Sequence, residues 1–423
     1  MKPLRTLFEF EKNNTTFQRE ITAGLTAFFT VAYIIVVNSS ILHDSGINLQ
    51  MAVLATVFVS IFGCLLIGLY ANAPIVLVPG MGINTYFTYT IVQNQGLSWQ
   101  SALGIVVISG LIFMIIAFTS LGVKITQAIP SSLKHAISVG IGVLITFIGL
   151  QKGGVVLVHP QTGLQLGNLS DPQVILTLIG LLIALTLFIL DLKAAFLLTI
   201  LSITGLAAYI GITNVSASES LQISEYTSFF GSFSLKDIGK VDFWLAVFSL
   251  TLLSVFEHVG LLQGLLPNKD RFARSLKAGS VTAMVSGLFG TSPTISAAES
   301  AAGTAVGGRT GLTAITTGLA FALTLLFLPF INMIPNSATS PILVIVGALM
   351  FQSVKEIPFH NLSEAIPAFL LIIFIGFTQS IPDGMAFGFI SYAIVRIVKK
   401  DFRKDNIVLF VIAGLFLISL FLK

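Results

Sequence analysis

Long apolar stretches follow one another almost without pause through this 423-residue chain, and a surface built from them cannot face water. They run at about 21–42, 51–71, 76–93, 101–122, 134–150, 172–190 and 195–212, then at 242–266, 276–290, 294–306, 310–334 and 339–353, and finally at 364–379, 382–398 and 405–422. A helix needs roughly 20 mostly apolar residues to cross the hydrocarbon core, and fewer where it is broken inside a protein bundle. Only 9% of the residues are charged and 55% are hydrophobic, whereas soluble domains carry about 25% charged residues. That shortage excludes a soluble enzyme, a disordered chain and a nucleic-acid binder. The net charge of +4 reads as basic cytoplasmic loops. The chain is expected to be an all-α polytopic protein of the cell membrane, with the lipid bilayer as its surroundings.

The expected organisation is a cytoplasmic N-terminus over 1–20, a first membrane repeat over 21–212, a polar extracytoplasmic loop over 213–241 and a second repeat over 242–423. The N-terminal stretch, with Lys2, Arg5, Glu9, Glu11, Lys12, Arg19 and Glu20, is too charged for a signal peptide. Basic residues orient the rest: Lys269, Arg271, Arg274 and Lys277 form one cluster, and Lys399, Lys400, Arg403 and Lys404 another. The last cluster shares the side of the N-terminus only if 364–379 and 382–398 are two crossings. The single cysteine, Cys64, lies inside an apolar run and reads as a buried, inert thiol.

Two segments break the apolar pattern. One holds Ala73-Pro74 and then Val78-Pro79-Gly80-Met81-Gly82-Ile83-Asn84; the other reads Gly290-Thr291-Ser292-Pro293-Thr294-Ile295-Ser296 before Ala297-Ala298-Glu299-Ser300. Proline and glycine there interrupt a helix just before a short helical stretch. Each break falls third in its set. Paired interruptions at corresponding positions of two halves point to a transport site near the midplane, and an odd number of spans per half makes the halves inverted. Packed Pro/Gly kinks are the bland alternative.

Ionisable residues inside spans are costly and are functional candidates by default. Glu257 lies well inside 242–266 beside His258, Glu299 opens the short helix after the second break, and Asp383 follows Pro382 at another interruption. Glu257 could instead be a protonated carboxyl bonded to backbone, and Glu299 a helix-capping carboxylate. Neighbouring helical positions point about 100° apart, so Glu257 and His258 cannot both face one small ligand. Asn84 offers amide donors and an acceptor, and Tyr86 and Phe87 offer ring faces. A carboxylate, an amide and an aromatic face together suit a flat heterocycle with ring N–H and carbonyl groups. No metal-ligand spacing, cofactor motif or nucleophile–base pair accompanies them, so neither an enzyme nor a bound metal or cofactor is expected.

These residues carry a family resemblance. Phe8 to Thr16, Arg19 to Thr26, Val31-Ala32-Tyr33-Ile34, Pro79 to Asn84, Gly140 to Gln151, Glu299 to Gly303, Gly307 to Thr313 and Asp383 to Gly388 resemble the AzgA-like branch of the nucleobase–cation symporters, over nearly the whole chain. The resemblance implies fourteen segments in two inverted repeats of seven, divided into core and gate domains, with a short strand and half-helix in segments 3 and 10. It implies proton-coupled uptake of adenine, guanine or hypoxanthine. By resemblance Asn84, Glu257, Glu299 and Asp383 occupy the family's functional polar positions. With the residue reading, Asn84, Phe87, Glu257 and Glu299 are expected to bind the base and Glu257, Glu299 and Asp383 to couple protons, with His258 either in that relay or packed against a neighbouring helix. Two departures stand out: Phe256-Glu257-His258 replaces the family's usual Phe-Asp-Thr, and Ala297 replaces an aromatic residue. An ionised Glu257 accepts hydrogen bonds only, which favours hypoxanthine and guanine over adenine. The alternatives of the same fold are xanthine, uracil or a small anion, and homodimerisation is left open.

Overall fold

Backbone N–H and C=O groups in hydrocarbon must be paired within the chain, and helices do so segment by segment. The computed structural model describes residues 2–119, 129–159, 161, 163–212, 223–401 and 407–422. Residues 120–122 of the fourth apolar stretch, 213–222 of the polar loop, and Arg403 and Lys404 lie outside the described residues. The first half comprises α1 (Lys2–Leu7), α2 (Phe17–Val31), α3 (Ile34–His43), α4 (Leu49–Leu66), β1 (Leu77–Pro79), α5 (Met81–Thr85), α6 (Trp99–Phe118), α7 (Ser131–Lys152), β2 (Val156–His159), β3 (Gly163–Leu166), α8 (Pro172–Ile189) and α9 (Ala195–Tyr209). After α10 (Ile223–Phe229) come α11 (Val241–Leu265), α12 (Phe272–Phe289), β4 (Thr294–Ser296), α13 (Ser300–Val306), α14 (Gly311–Leu323), α15 (Asn336–Phe351), α16 (Leu362–Thr378), α17 (Ile381–Val398) and α18 (Ile407–Leu422).

Among the described residues nine helices are long and apolar enough to cross a membrane, and three shorter apolar helices accompany them. Several boundaries depart from the apolar runs. The first run breaks at Ala32-Tyr33 between α2 and α3, and the run 310–334 leaves α-helix at Thr324 for a 3-10 stretch to Met333 that includes Pro329. The segment after α7 forms an exposed antiparallel hairpin, β2 with β3, whose turn uses the positive φ of Gly163.

The helices sort into two packing groups: α2 to α6 with α11 to α14, and α7 to α9 with α15 to α18. The basic cluster after α11 lies at one end with Arg309. Arg271 pairs with Glu9 at 3.2 Å and donates to the Arg309 carbonyl at 3.0 Å, while Lys277 lies over the Phe118 ring. Glu20, fully buried, completes that end: it accepts from Thr15 Oγ1, the Arg309 and Thr310 amides and Thr313 Oγ1, the first and third through Oε1 and Oε2 at 2.7 and 3.2 Å. Lys152 at the C-terminal end of α7 meets Asp44 just past α3, at the opposite end, so α7 begins at the basic end. There Ser132 donates to Glu364, which also pairs with Arg396 at 3.3 Å. Arg396, Lys399 and Lys400 therefore share the basic end, and α16 and α17 form an antiparallel pair turning at Gln379 in left-handed conformation.

The groups are tied together at the opposite end by the Lys152–Asp44 pair and by Thr90 Oγ1 donating to the Gln379 carbonyl. Residues 249–256 of α11 are buried all round, yet Gly260, Gln263 and Gly264 are exposed, with open space beside both glycines.

Candidate functional site

Pro79 has no N–H to give a helix, and glycines lower the cost of irregular backbone, so the chain leaves helix at both breaks. The freed backbone groups then find one another. β1 pairs antiparallel with β4 in the register Leu77–Ser296, Val78–Ile295 and Pro79–Thr294. The Gly80 amide donates to the Pro293 carbonyl at 3.2 Å and the Ala297 amide to the Val76 carbonyl at 2.9 Å, while the Val76 amide reaches Ser300 Oγ at 3.0 Å. From this ladder α5 and α13 depart as two short helices. Glycine at 80 is a packing requirement as well, because a Cβ there would lie 2.6 Å from Ile295 Cδ1.

Glu257 faces the first break. Its Oε1 lies 3.8 Å from where a Cβ on Gly82 would sit, and its Oε2 is buried without a hydrogen-bond partner. One turn earlier on the same face, Ser254 Oγ is also buried and unpartnered. His258 turns away, as its helical angle requires. Its Nδ1 accepts from the Ser296 amide at 3.1 Å, its Nε2 presses on Gly279, and its ring meets Phe113 edge-on at 5.7 Å. Nδ1 is thus the acceptor nitrogen, and His258 clamps α11 to β4 and α12.

Glu299 is half-buried at the N-cap position of α13, but its side chain makes no capping bond. It accepts instead from the Tyr33 hydroxyl, Oε1 to Oη, at 2.6 Å. Ala298 and Ala301 beside it are exposed. Neither Glu257 nor Glu299 forms an ion pair among the described residues, and no group of three His, Cys, Asp or Glu there is arranged to hold a metal.

The other candidates sit farther back. Asn84 is fully buried: its Nδ2 donates to the Asn38 carbonyl at 3.2 Å and its Oδ1 has no partner. Phe87, also fully buried, is part of the hydrophobic core. Asp383 is half-buried in the first turn of α17, where its amide donates to the Ser380 hydroxyl at 3.4 Å. Sequence reasoning overlooked Tyr33, Ser254 and Asn38. Asn38 was visible as an amide inside an apolar run, and it donates to Thr56 and Thr291 while its Oδ1 stays unpartnered. Tyr33 and Ser254 carried no signal of their own.

Comparison with known proteins fits this arrangement. A model of the Permease family, Xan_ur_permease, matches residues 18–387. The nucleobase transporter PlAzg2 of Paenibacillus larvae subsp. larvae is 44% identical over 383 residues, covering 89% of this chain and 77% of its own length. The guanine/hypoxanthine permease PbuO of Bacillus subtilis is 38% identical over 436 residues, covering 98% of this chain and all of its own. The adenine permease AdeP of Escherichia coli is 32% identical, covering 99% of this chain and 96% of its own. Among solved structures, the transmembrane domain of a cyanobacterium bicarbonate transporter, BicA, matches with a TM-score of 0.67 at 16% identity, over 88% of this chain and 98% of that one, a likeness of fold alone.

Proposed function

Because the chain belongs to the Permease family designated Xan_ur_permease, a family of multi-pass membrane proteins, we propose that it takes up purine nucleobases together with protons by alternating access. Hypoxanthine and guanine are favoured over adenine. The names of relatives support the cargo class, since PbuO is a guanine/hypoxanthine permease and PlAzg2 a nucleobase transporter. The observation that carries the reading is the pair of carboxylates beside the two backbone breaks, Glu257 with a buried, unpartnered oxygen and Glu299 with one oxygen engaged. Buried polar atoms are normally hydrogen-bonded, so Glu257 Oε2 and Ser254 Oγ are poised for a polar cargo. A carboxylate suits the N1–H of an oxopurine, and two carboxylates without cationic partners disfavour an anion.

In this reading Glu257 and Glu299 hold the base, with Asn84 and Phe87 supporting the half-helix behind it. Protons ride on Glu257 and Glu299, with Asp383 assisting and His258 orienting its neighbour. The two helix groups act as core and gate, and the basic end faces the cytoplasm. The antiparallel pairing of β1 with β4 is what inverted repeats of seven segments would produce, which supports a fourteen-segment topology.

Uptake of labelled hypoxanthine into proteoliposomes, competed by a panel of bases, tests the proposal. Guanine should compete at micromolar concentration, adenine more weakly and bicarbonate not at all. Accumulation that survives a protonophore and collapse of the membrane potential would defeat proton coupling.

A further inference from the structure

Tyr33 stands at the break between α2 and α3 with 1% of its surface exposed. Its hydroxyl donates to Glu299 Oε1 at 2.6 Å, and its ring meets Phe196 edge-on with centroids 4.9 Å apart. Phe196 belongs to α9 and stacks on Phe188 of α8 at 6.1 Å. One side chain therefore bridges a carboxylate of the first helix group and an aromatic pair of the second. A phenol is both donor and acceptor, so it can give its hydrogen to an ionised Glu299 or accept one from the protonated form. With Oε1 engaged, Oε2 is the oxygen left for a base or a proton.

We infer that Tyr33 is a positioning residue for Glu299: it fixes one carboxyl oxygen, presents the other to the cargo, and transmits displacement of that carboxyl to the second helix group through Phe196. The inference rests on the purine-uptake reading of the site. Two functions separate on two parts of one side chain. The hydroxyl governs affinity, and the ring contact governs turnover.

The test uses the full chain in nanodiscs for hypoxanthine binding and in proteoliposomes for initial uptake rates. Tyr33→Phe keeps the ring and should weaken binding about 10-fold, the size of one charge-assisted hydrogen bond. Adding Tyr33→Phe to Glu299→Gln should cost much less than that, since both changes strike one interaction. Phe196→Leu should leave binding within about twofold while lowering maximal uptake several-fold, a change in kcat without one in KM. Wild-type affinity in Tyr33→Phe, or effects that simply multiply in the double variant, would overturn the inference while leaving purine uptake standing. If Tyr33→Phe does not accumulate in the membrane, the Phe196 arm decides, and unchanged maximal uptake refutes the coupling. A folded wild-type protein that binds no purine refutes the functional reading, and this inference falls with it.

Discussion

Lys152 and Asp44 form a 2.8 Å ion pair that fastens the two helix groups at the end away from the basic loops. Their side chains are only 13% and 26% exposed. The ammonium also reaches the Ser40 carbonyl and hydroxyl, and Tyr89 donates to the same Asp44 oxygen at 2.6 Å. Every partner of the Lys152 ammonium in this set belongs to the first group, and Thr90 Oγ1 adds a second tie by donating to the Gln379 carbonyl at 3.4 Å. In the orientation proposed above, with the basic end toward the cytoplasm, the pair lies on the outer side.

Loss of that pair should shift the molecule toward outward opening. Lys152→Met should change the balance by on the order of 1–3 kcal/mol, roughly 5- to 150-fold. The measurement is labelling of Gln379→Cys, beside Tyr89 and Gln93, by a membrane-impermeant thiol reagent added outside. Cys64 is fully buried and should stay silent. Labelling no faster than in the Lys152 parent would show that the pair does not hold the outer side shut.

Glu257→Gln separates coupling from carriage. The amide keeps the size of the side chain but cannot cycle a proton, so accumulation against a gradient should vanish. Exchange of labelled for unlabelled hypoxanthine should persist with affinity reduced about 10- to 100-fold. Proton-driven accumulation at the wild-type level in this variant would remove Glu257 from the coupling path.

His258→Ala strikes the clamp rather than the cargo. It strands the Ser296 amide and leaves a cavity against Gly279 and Phe113, which should cost about 2–4 kcal/mol of stability. Thermal unfolding in detergent should show the loss, while the ratio of hypoxanthine to adenine uptake stays within twofold. A changed ratio at unchanged stability would return His258 to the base.

Glu20 is a structural carboxylate at the basic end, and three of its four acceptor bonds tie α2 to the start of α14, the fourth coming from Thr15 just before α2. Glu20→Ala should destabilise by about 2–4 kcal/mol, because buried donors are left stranded. Binding affinity in the surviving folded fraction should be unaltered, as judged by ligand titration after gel filtration. Affinity loss without a drop in melting temperature would contradict a purely structural role.

The residues differ in how far their roles could be read in advance. Apolar runs and the Pro79-Gly80 and Pro293 breaks were legible because hydrocarbon and missing N–H groups act locally. The orthogonal directions of Glu257 and His258 were also legible, since helix geometry alone sets them. Tyr33 was not, because the interruption at Ala32-Tyr33 uses neither proline nor glycine and its meaning comes from Glu299, 266 positions away. Lys152 and Asp44 likewise look like ordinary span-end charges until packing brings α7 against α3. Capping, the alternative reading of Glu299, rested on local reasoning, and the side chain instead takes a distant hydroxyl.

The three-residue ladder between β1 and β4 has a consequence for how such proteins diversify. Its rungs are made by main chain, while two side chains hold its margins, Ser300 Oγ accepting from the Val76 amide and His258 Nδ1 from the Ser296 amide. Glu257 and Ala297 lend the seam no side-chain bond, whereas a Cβ at Gly82 would lie 2.9 Å from Ile141. Point changes that spare the seam are thus open at Glu257 and Ala297 and closed at His258 and Ser300, which hold it.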